Sequence, residues 1–342
     1  MKKVAKWTGK YLRLSSGSSD GSRRSRHEQS VSQTGSSASH RTVGGTAPMS
    51  VSDSASSTHR SAPLQRNAES VYDIDLRGPE EIEKLRMLEN RNFTTPRAID
   101  DEFLHACGIT AEFYDALRYA GWYDFAQVVE DGSSILTIEF LCTLEIVDDR
   151  HHRRVQYKFR LLGRSFMLTF RDMSIALRFD PDARSKIDSL PRFSPDAFWE
   201  EIGESTSRQP RYSNIHNPTL RVMNRWITSY LTPRSDTRAV NRMDRAYLFA
   251  VVRKIKTNPT YFLLNHWKET AFWFLAEISF TPFVTRIAQH LGVLEGASVA
   301  YLPVAPLIGE EYFFQAHLCR RVGETIYMRY PGHSAEVALP NP

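Results

Sequence analysis

Asn217–Lys256 reads NPTLRVMNRWITSYLTPRSDTRAVNRMDRAYLFAVVRKIK, and it holds two helix patterns around a proline break. Leu220, Met223, Trp226, Ile227, Tyr230 and Leu231 recur at the three-and-four spacing that draws one apolar stripe down a helix. Asn217 is placed to cap that helix, and Pro218 stands at its first position, where a missing N–H is not felt. Pro233 disfavours helical backbone at Thr232, so the first helix ends there. The second begins at Asn241, which forms an Asn/Asp version of a capping box with Asp244, and Met243, Tyr247, Leu248, Val251 and Ile255 make its buried stripe. The stretch is a basic helical hairpin.

From Arg221 to Lys256, nine basic residues face only Asp236 and Asp244, a net +7. Arg221 and Arg225 share a helical face, and Arg234, Arg238, Arg242 and Arg245 follow across the turn. Arg242 and Arg245 sit in the first turn of the second helix, where the macrodipole opposes cations by roughly a few tenths of a kcal/mol. These six arginines have two readings: a solvated face with internal salt bridges, or a surface for phosphate or an acidic partner.

Outward from the hairpin, the 342 residues divide by composition. Residues 1–66 are rich in Ser, Gly, Thr and Arg and lack apolar periodicity, which predicts a disordered tail. That tail holds eleven Lys and Arg against three acids, a net +8, so the chain's +5 leaves −3 for the remainder. It is either a nonspecific polyanion binder or a linker. Residues 68–335 hold nearly all of the 19 Phe, 14 Tyr and 6 Trp and predict one domain, with 336–342 a frayed end. Asp73 to Asp131 carries fourteen acids and six basic residues, and this −8 pole opposite the basic hairpin suggests internal packing or self-association between acidic and basic faces. Cys107, Cys142 and Cys319 are widely spaced in apolar surroundings, as in a reduced nuclear or cytoplasmic protein that is not secreted. Neither a signal peptide nor a membrane span is expected.

Upstream, helices are predicted from Pro79 to about Glu89, over Asp100–Ala106, from Thr110 to about Ala120 and over Ile135–Val147. Trp122, Tyr123 and Phe125 read as core. Val155 to Leu168 alternates about Gly163 as the one β-hairpin, and Thr169 with Asp172 opens a helix to Leu177. Downstream, the helix opened by Asn258 and Pro259, with Trp267 and Trp273, is expected to be the central buried one. Further helices follow from Thr281 and from about Gly309 to Arg321. The fold class is mainly α, a single helical domain with one small β-hairpin.

Catalytic chemistry finds little footing. Asp148, Asp149, His151 and His152 are too close together on one loop to surround an ion and read as a charged connection. His105 and Cys107 point apart on a helix, His266 and Glu269 read as a local hydrogen bond, and His290 as a helix-end cap. No thiol neighbours a Gly-rich elbow, and no phosphate-binding loop motif is present. No catalytic residue, metal, cofactor or small-molecule substrate is expected.

The order of blocks carries a resemblance. Gly121-Trp122, Gly163-Arg164 leading into Thr169–Leu177, Leu231-Thr-Pro-Arg234, Asn241–Leu248, Asn258–Trp267 and Thr285-Arg-Ile-Ala-Gln-His-Leu-Gly-Val293 together resemble the protein encoded by the first open reading frame of plant Athila-type retrotransposons, of the Ty3/gypsy class, over about residues 90–295. The hairpin-then-helix block is also similar to plant mobile-domain proteins. The resemblance implies plant origin and transposon descent, and no activity. No zinc knuckle, aspartic-protease triplet or polymerase motif accompanies it, and the long C-terminal helical extension expected in such proteins is missing, as in a shortened or degenerate copy. The function expected is a non-enzymatic interaction or assembly module with affinity for RNA or DNA. The alternative is a host-adapted nuclear factor in chromatin or silencing.

Overall fold

The computed structural model describes residues 69–127, 130–147, 154–204, 209–272, 277–329 and 336–339. The chain divides into two units, Met1–Ser61 and Ala62–Pro342, and every described residue belongs to the second. The tail, the Asp148–His152 cluster and Trp273 lie outside the described residues.

Helix α1 (Pro79–Leu88) begins on its proline. In α2 (Asp101–Ala106) the Asp100 carboxylate accepts from the Glu102 N–H. α3 (Thr110–Ala120) ends at Gly121, whose φ of 78° is the left-handed conformation that glycine adopts without strain. The turn α4 (Tyr123–Ala126) buries Phe125, and α5 (Ser134–Thr143) starts at the Ser133 cap. Strands β1 (Glu145–Val147), β2 (Gln156–Leu161) and β3 (Arg164–Thr169) form an antiparallel sheet in that order. The Thr169–Asp172 capping box then starts α6 (Phe170–Ala176). α7 (Pro195–Ile202) and α8 (Pro218–Trp226) each open with proline, and α8 runs into a π-helical turn, Ile227–Leu231. α9 (Arg242–Val252) starts at the Asn241–Asp244 box, α10 (Thr260–Ala271) follows, and α11 (Thr281–His290) leads to α12 (Glu310–Gln315). β4 (Cys319–Val322), β5 (Thr325–Arg329) and β6 (Glu336–Leu339) make a second antiparallel sheet.

The described residues are mainly helical, but they hold two three-stranded sheets where the sequence suggested one hairpin. Helix α5 stops at Thr143, short of the expected Val147. The Thr143 hydroxyl turns back to the Glu139 carbonyl and also accepts the Arg160 N–H, and Glu145, Ile146 and Val147 pair with Lys158, Tyr157 and Gln156. A waiting ladder partner outweighs helical spacing in a β-branched segment. The helix expected to run on to Arg321 likewise ends at Gln315, and Arg320 and Arg321 lie in β4. Residues expected to fray include β6, where Leu339 is buried opposite Ile326.

The centre of the domain also differs from the expectation. α10 buries Leu263, Leu264 and Trp267 but leaves Tyr261, Phe262 and His266 half-buried. The enclosed helices are α5, buried from Ile135 through Cys142, and α11, buried from Thr281 through Ala288, which pack on each other. SILTIEFLCT is apolar around its whole circumference, the mark of a helix covered on all sides. Its one acid, Glu139, accepts the backbone N–H groups of Leu162 and Gly163 at 2.6 and 2.8 Å and so closes the β2–β3 turn. Beside these helices Glu130 is buried between Arg286 at 2.9 Å and Arg178 at 2.6 Å.

Aromatic packing joins the elements. Trp122 stacks on Trp226, meets the edge of Tyr247 and donates its indole N–H to the Thr257 hydroxyl at 3.0 Å. Trp267 stacks between Phe280 and Phe283, with ring centroids 4.7 and 5.8 Å away. Trp267→Ala is therefore expected to cost about 3–5 kcal/mol in equilibrium denaturant unfolding, and an unchanged midpoint would contradict the packing account.

Candidate anion-binding cleft

The six hairpin arginines do not form one surface. Arg221 is 1% exposed, and its Nε and Nη2 donate to the Ile215 carbonyl while Nη1 donates to the Arg329 carbonyl at 2.8 Å. Arg234 forms a two-pronged bridge to the buried Asp244, at 2.9 and 2.6 Å, and also donates to the Asp236 and Ala239 carbonyls. Arg245 pairs with Asp196 at 2.8 Å. Arg238 and Arg242 are exposed, and Arg242 reaches the Asp188 carbonyl at 3.4 Å. For Arg221 and Arg225 the expectation of an open basic face is overturned. The C-terminal sheet and the loop at Ile215 cover the side of α8 opposite its apolar stripe. The acidic pole is also engaged internally: Glu80 pairs with Lys84, Glu81 with Arg160 and Glu83 with Arg86.

Arg225 is the exception. It is 6% exposed, and its Nε and Nη1 meet no acceptor. Its guanidinium lies over the Tyr312 ring, 4.3 Å from the centroid. Burial pushes its pKa below the ordinary arginine value; the phenol groups of Tyr312 and Tyr212 pull it back electrostatically, and the charges of Arg97 and Arg234 push it down again. A buried guanidinium without a carboxylate carries a desolvation cost that the protein itself does not offset.

Arg225 lines a cleft of about 750 Å³. One wall is the extended segment from Asn90 to Arg97, stitched to the chain after α10 by Thr94 N–H to the Ile278 carbonyl and Ile278 N–H to the Asn92 carbonyl, both 2.9 Å. A second wall is the turn from Pro233 to Thr237, and Ala305 and Pro306 form the third. The Ala305 N–H donates to the Thr95 hydroxyl at 2.6 Å, and Arg97 Nε donates to the Pro306 carbonyl at 3.0 Å. His266 of α10 supports the second wall through its Nε2, 3.0 Å from the Pro233 carbonyl.

The lining is polar and basic. Four arginines, Arg91, Arg97, Arg225 and Arg234, stand against Glu277 in the lining and Asp244 behind Arg234, an excess of two positive charges. Glu277 accepts from the Asn92 amide at 2.6 Å. Thr94, Thr237 and Ser229 also line the space, and the Ser229 Oγ is buried without a partner. Fixed donors, positive charge and an unsatisfied buried arginine are the elements of an oxyanion site. Among the described residues the lining includes no imidazole, thiol or aromatic ring. The three cysteines lie elsewhere in the core, where burial pushes each thiol up to about 12, far from a reactive thiolate.

Sequence reasoning named Arg225 and Arg234 as binding residues but missed Arg91, Arg97 and Ser229. They come together only through the pairing of residues 92–94 with Ile278, which no local pattern announces. A scan of protein-family profiles, a search of curated proteins and a search of solved structures each find no match to this chain. Among the described residues no helix is long and apolar enough to cross a membrane.

Two measurements test the site's energetics. Arg225→Met removes an unpaired buried charge and is expected to leave stability unchanged or raise it. Arg221→Met, which orphans the buried Ile215 carbonyl and releases that of Arg329, should cost about 1–3 kcal/mol. Urea midpoints that fall equally in both variants would contradict the assignment. For His266, burial lowers the imidazole pKa, the bond to Pro233 partly opposes this, and Arg234 lowers it further. Its folded value thus lies below the unfolded value, so its contribution is complete above about pH 6.5 and is lost as the pH falls below that. His266→Asn should flatten the stability profile between about pH 7 and about pH 5, and an unaltered slope would refute the account.

Proposed function

We propose that this chain is a non-enzymatic interaction module of retrotransposon descent that binds the phosphates of RNA or DNA at the arginine-lined cleft. The observation that carries the reading is Arg225, buried, charged and unpaired on the wall of a polar cleft with two positive charges in excess. Phosphate oxygens would supply the acceptors that the protein withholds, and the Ser229 hydroxyl would donate beside them. The +8 of residues 1–66 favours the same class of ligand by adding sequence-independent attraction. Descent rests on the blocks from Gly121 to Val293 and their order. The chromatin or silencing role is the rival setting for the same phosphate chemistry.

Fluorescence anisotropy of a short single-stranded RNA with the full chain, over a salt series, tests the reading. Log K should fall linearly with log salt, and Arg225→Met should weaken binding and make the slope shallower by about 0.7, the share of one phosphate contact on a single strand. Arg238→Ala, exposed and outside the cleft, should change affinity less. Wild-type affinity and slope in Arg225→Met would remove the cleft from the binding reaction.

A further inference from the structure

We propose that the cleft receives the terminal phosphate monoester of a nucleic-acid strand in preference to its internal phosphodiesters; this rests on the nucleic-acid reading above. Charge is the first argument. The lining has an excess of two positive charges. A phosphate monoester carries about −1.5 to −2 near neutrality, whereas an internal phosphodiester carries about −1 and leaves half of that excess unmatched.

Depth is the second argument. The two guanidinium nitrogens without acceptors and the Ser229 hydroxyl, both on residues that line the cleft, are buried in its wall. A strand end enters such a recess with one chain leaving it. An internal phosphate at the same depth must bring both flanking stretches of the strand between the wall of residues 90–97 and the turn from Pro233 to Thr237.

The third argument is what the lining lacks. Strand binders that read bases present aromatic platforms, and none of the described lining residues is aromatic. Asn90, Thr94 and Thr237 offer amides and hydroxyls suited to a sugar, and about 750 Å³ accommodates a phosphate with its ribose. Recognition is then of the end and not of the base sequence.

The test compares two single-stranded RNAs of one sequence, 5′-phosphorylated and 5′-hydroxyl, binding to the full chain, with ribose 5-phosphate and inorganic phosphate as competitors. The tail attracts both RNAs alike, so the difference reports the cleft. The expected result is binding at least about tenfold tighter for the phosphorylated RNA, a difference that ribose 5-phosphate erases at lower concentration than inorganic phosphate and that disappears in Arg225→Met. Thermal unfolding checks that the variant is folded, and Ser229→Ala, expected to shrink the difference in part, serves if it is not. Equal affinities that both fall in Arg225→Met would overturn the strand-end assignment and leave the internal-phosphate reading standing. If neither RNA binds through Arg225, both readings fail. A thermal shift with ribose 5-phosphate but no effect of the RNA end would overturn the assignment and make a free sugar phosphate the ligand.

Discussion

Burying a guanidinium is expensive unless every N–H finds an acceptor, and the hairpin region is built around that constraint. Helix α8 is enclosed on all sides, apolar stripe and polar face alike. Arg221 meets the constraint with two backbone carbonyls, and Arg234 meets it with Asp244, the residue that also closes the capping box of α9. Each solution ties separate parts of the chain together: Arg221 holds β5 to α8, and Arg234 holds the proline turn to the start of α9. Arg225, one helical turn beyond Arg221, breaks the pattern.

The cleft in which Arg225 sits is assembled from four segments far apart in sequence. Its walls are short extended stretches, because these can offer backbone groups to one another without the full ladder of a sheet. Helices α5 and α11, packed in the centre, fix where those stretches can run: Thr281 at the start of α11 donates its hydroxyl to the Thr94 carbonyl. The central core thus reaches the cleft through one hydrogen bond at a helix terminus. His266 makes the matching connection from α10 to Pro233.

What could be read in advance follows from the range of the interactions. The boxes at Thr169–Asp172 and Asn241–Asp244 and the cap at Asn217 are closed within three residues, and all are present where the sequence placed them. The strand Glu145–Val147, most of β4 and the strand β6 were read as helix or frayed end, and β5 was given no element, because their partners lie across turns whose pairing the local spacing does not encode. For α8 the amphipathic pattern located the apolar stripe correctly. It did not reveal that a sheet more than a hundred residues later would cover the opposite face. Arg225 was therefore singled out as a surface charge, when burial is what makes it distinctive.

Tyr312 explains how a buried, unpaired arginine is kept in position without being neutralised. Its ring lies 4.3 Å from the Arg225 guanidinium and 5.7 Å from that of Arg97, so one ring attracts two guanidinium groups that repel each other. A carboxylate in that place would hold them more tightly but would cancel the charge and occupy the donors that an incoming oxyanion needs. An aromatic face attracts the cations and leaves Nε and Nη1 of Arg225 without an acceptor. The short helix α12 places this ring, and α12 is anchored by Phe313 stacking on Phe103 at 4.6 Å in the core behind it. The positive charge of the cleft is thus set in place by the apolar core before any ligand arrives, and binding need not order the arginine that it uses.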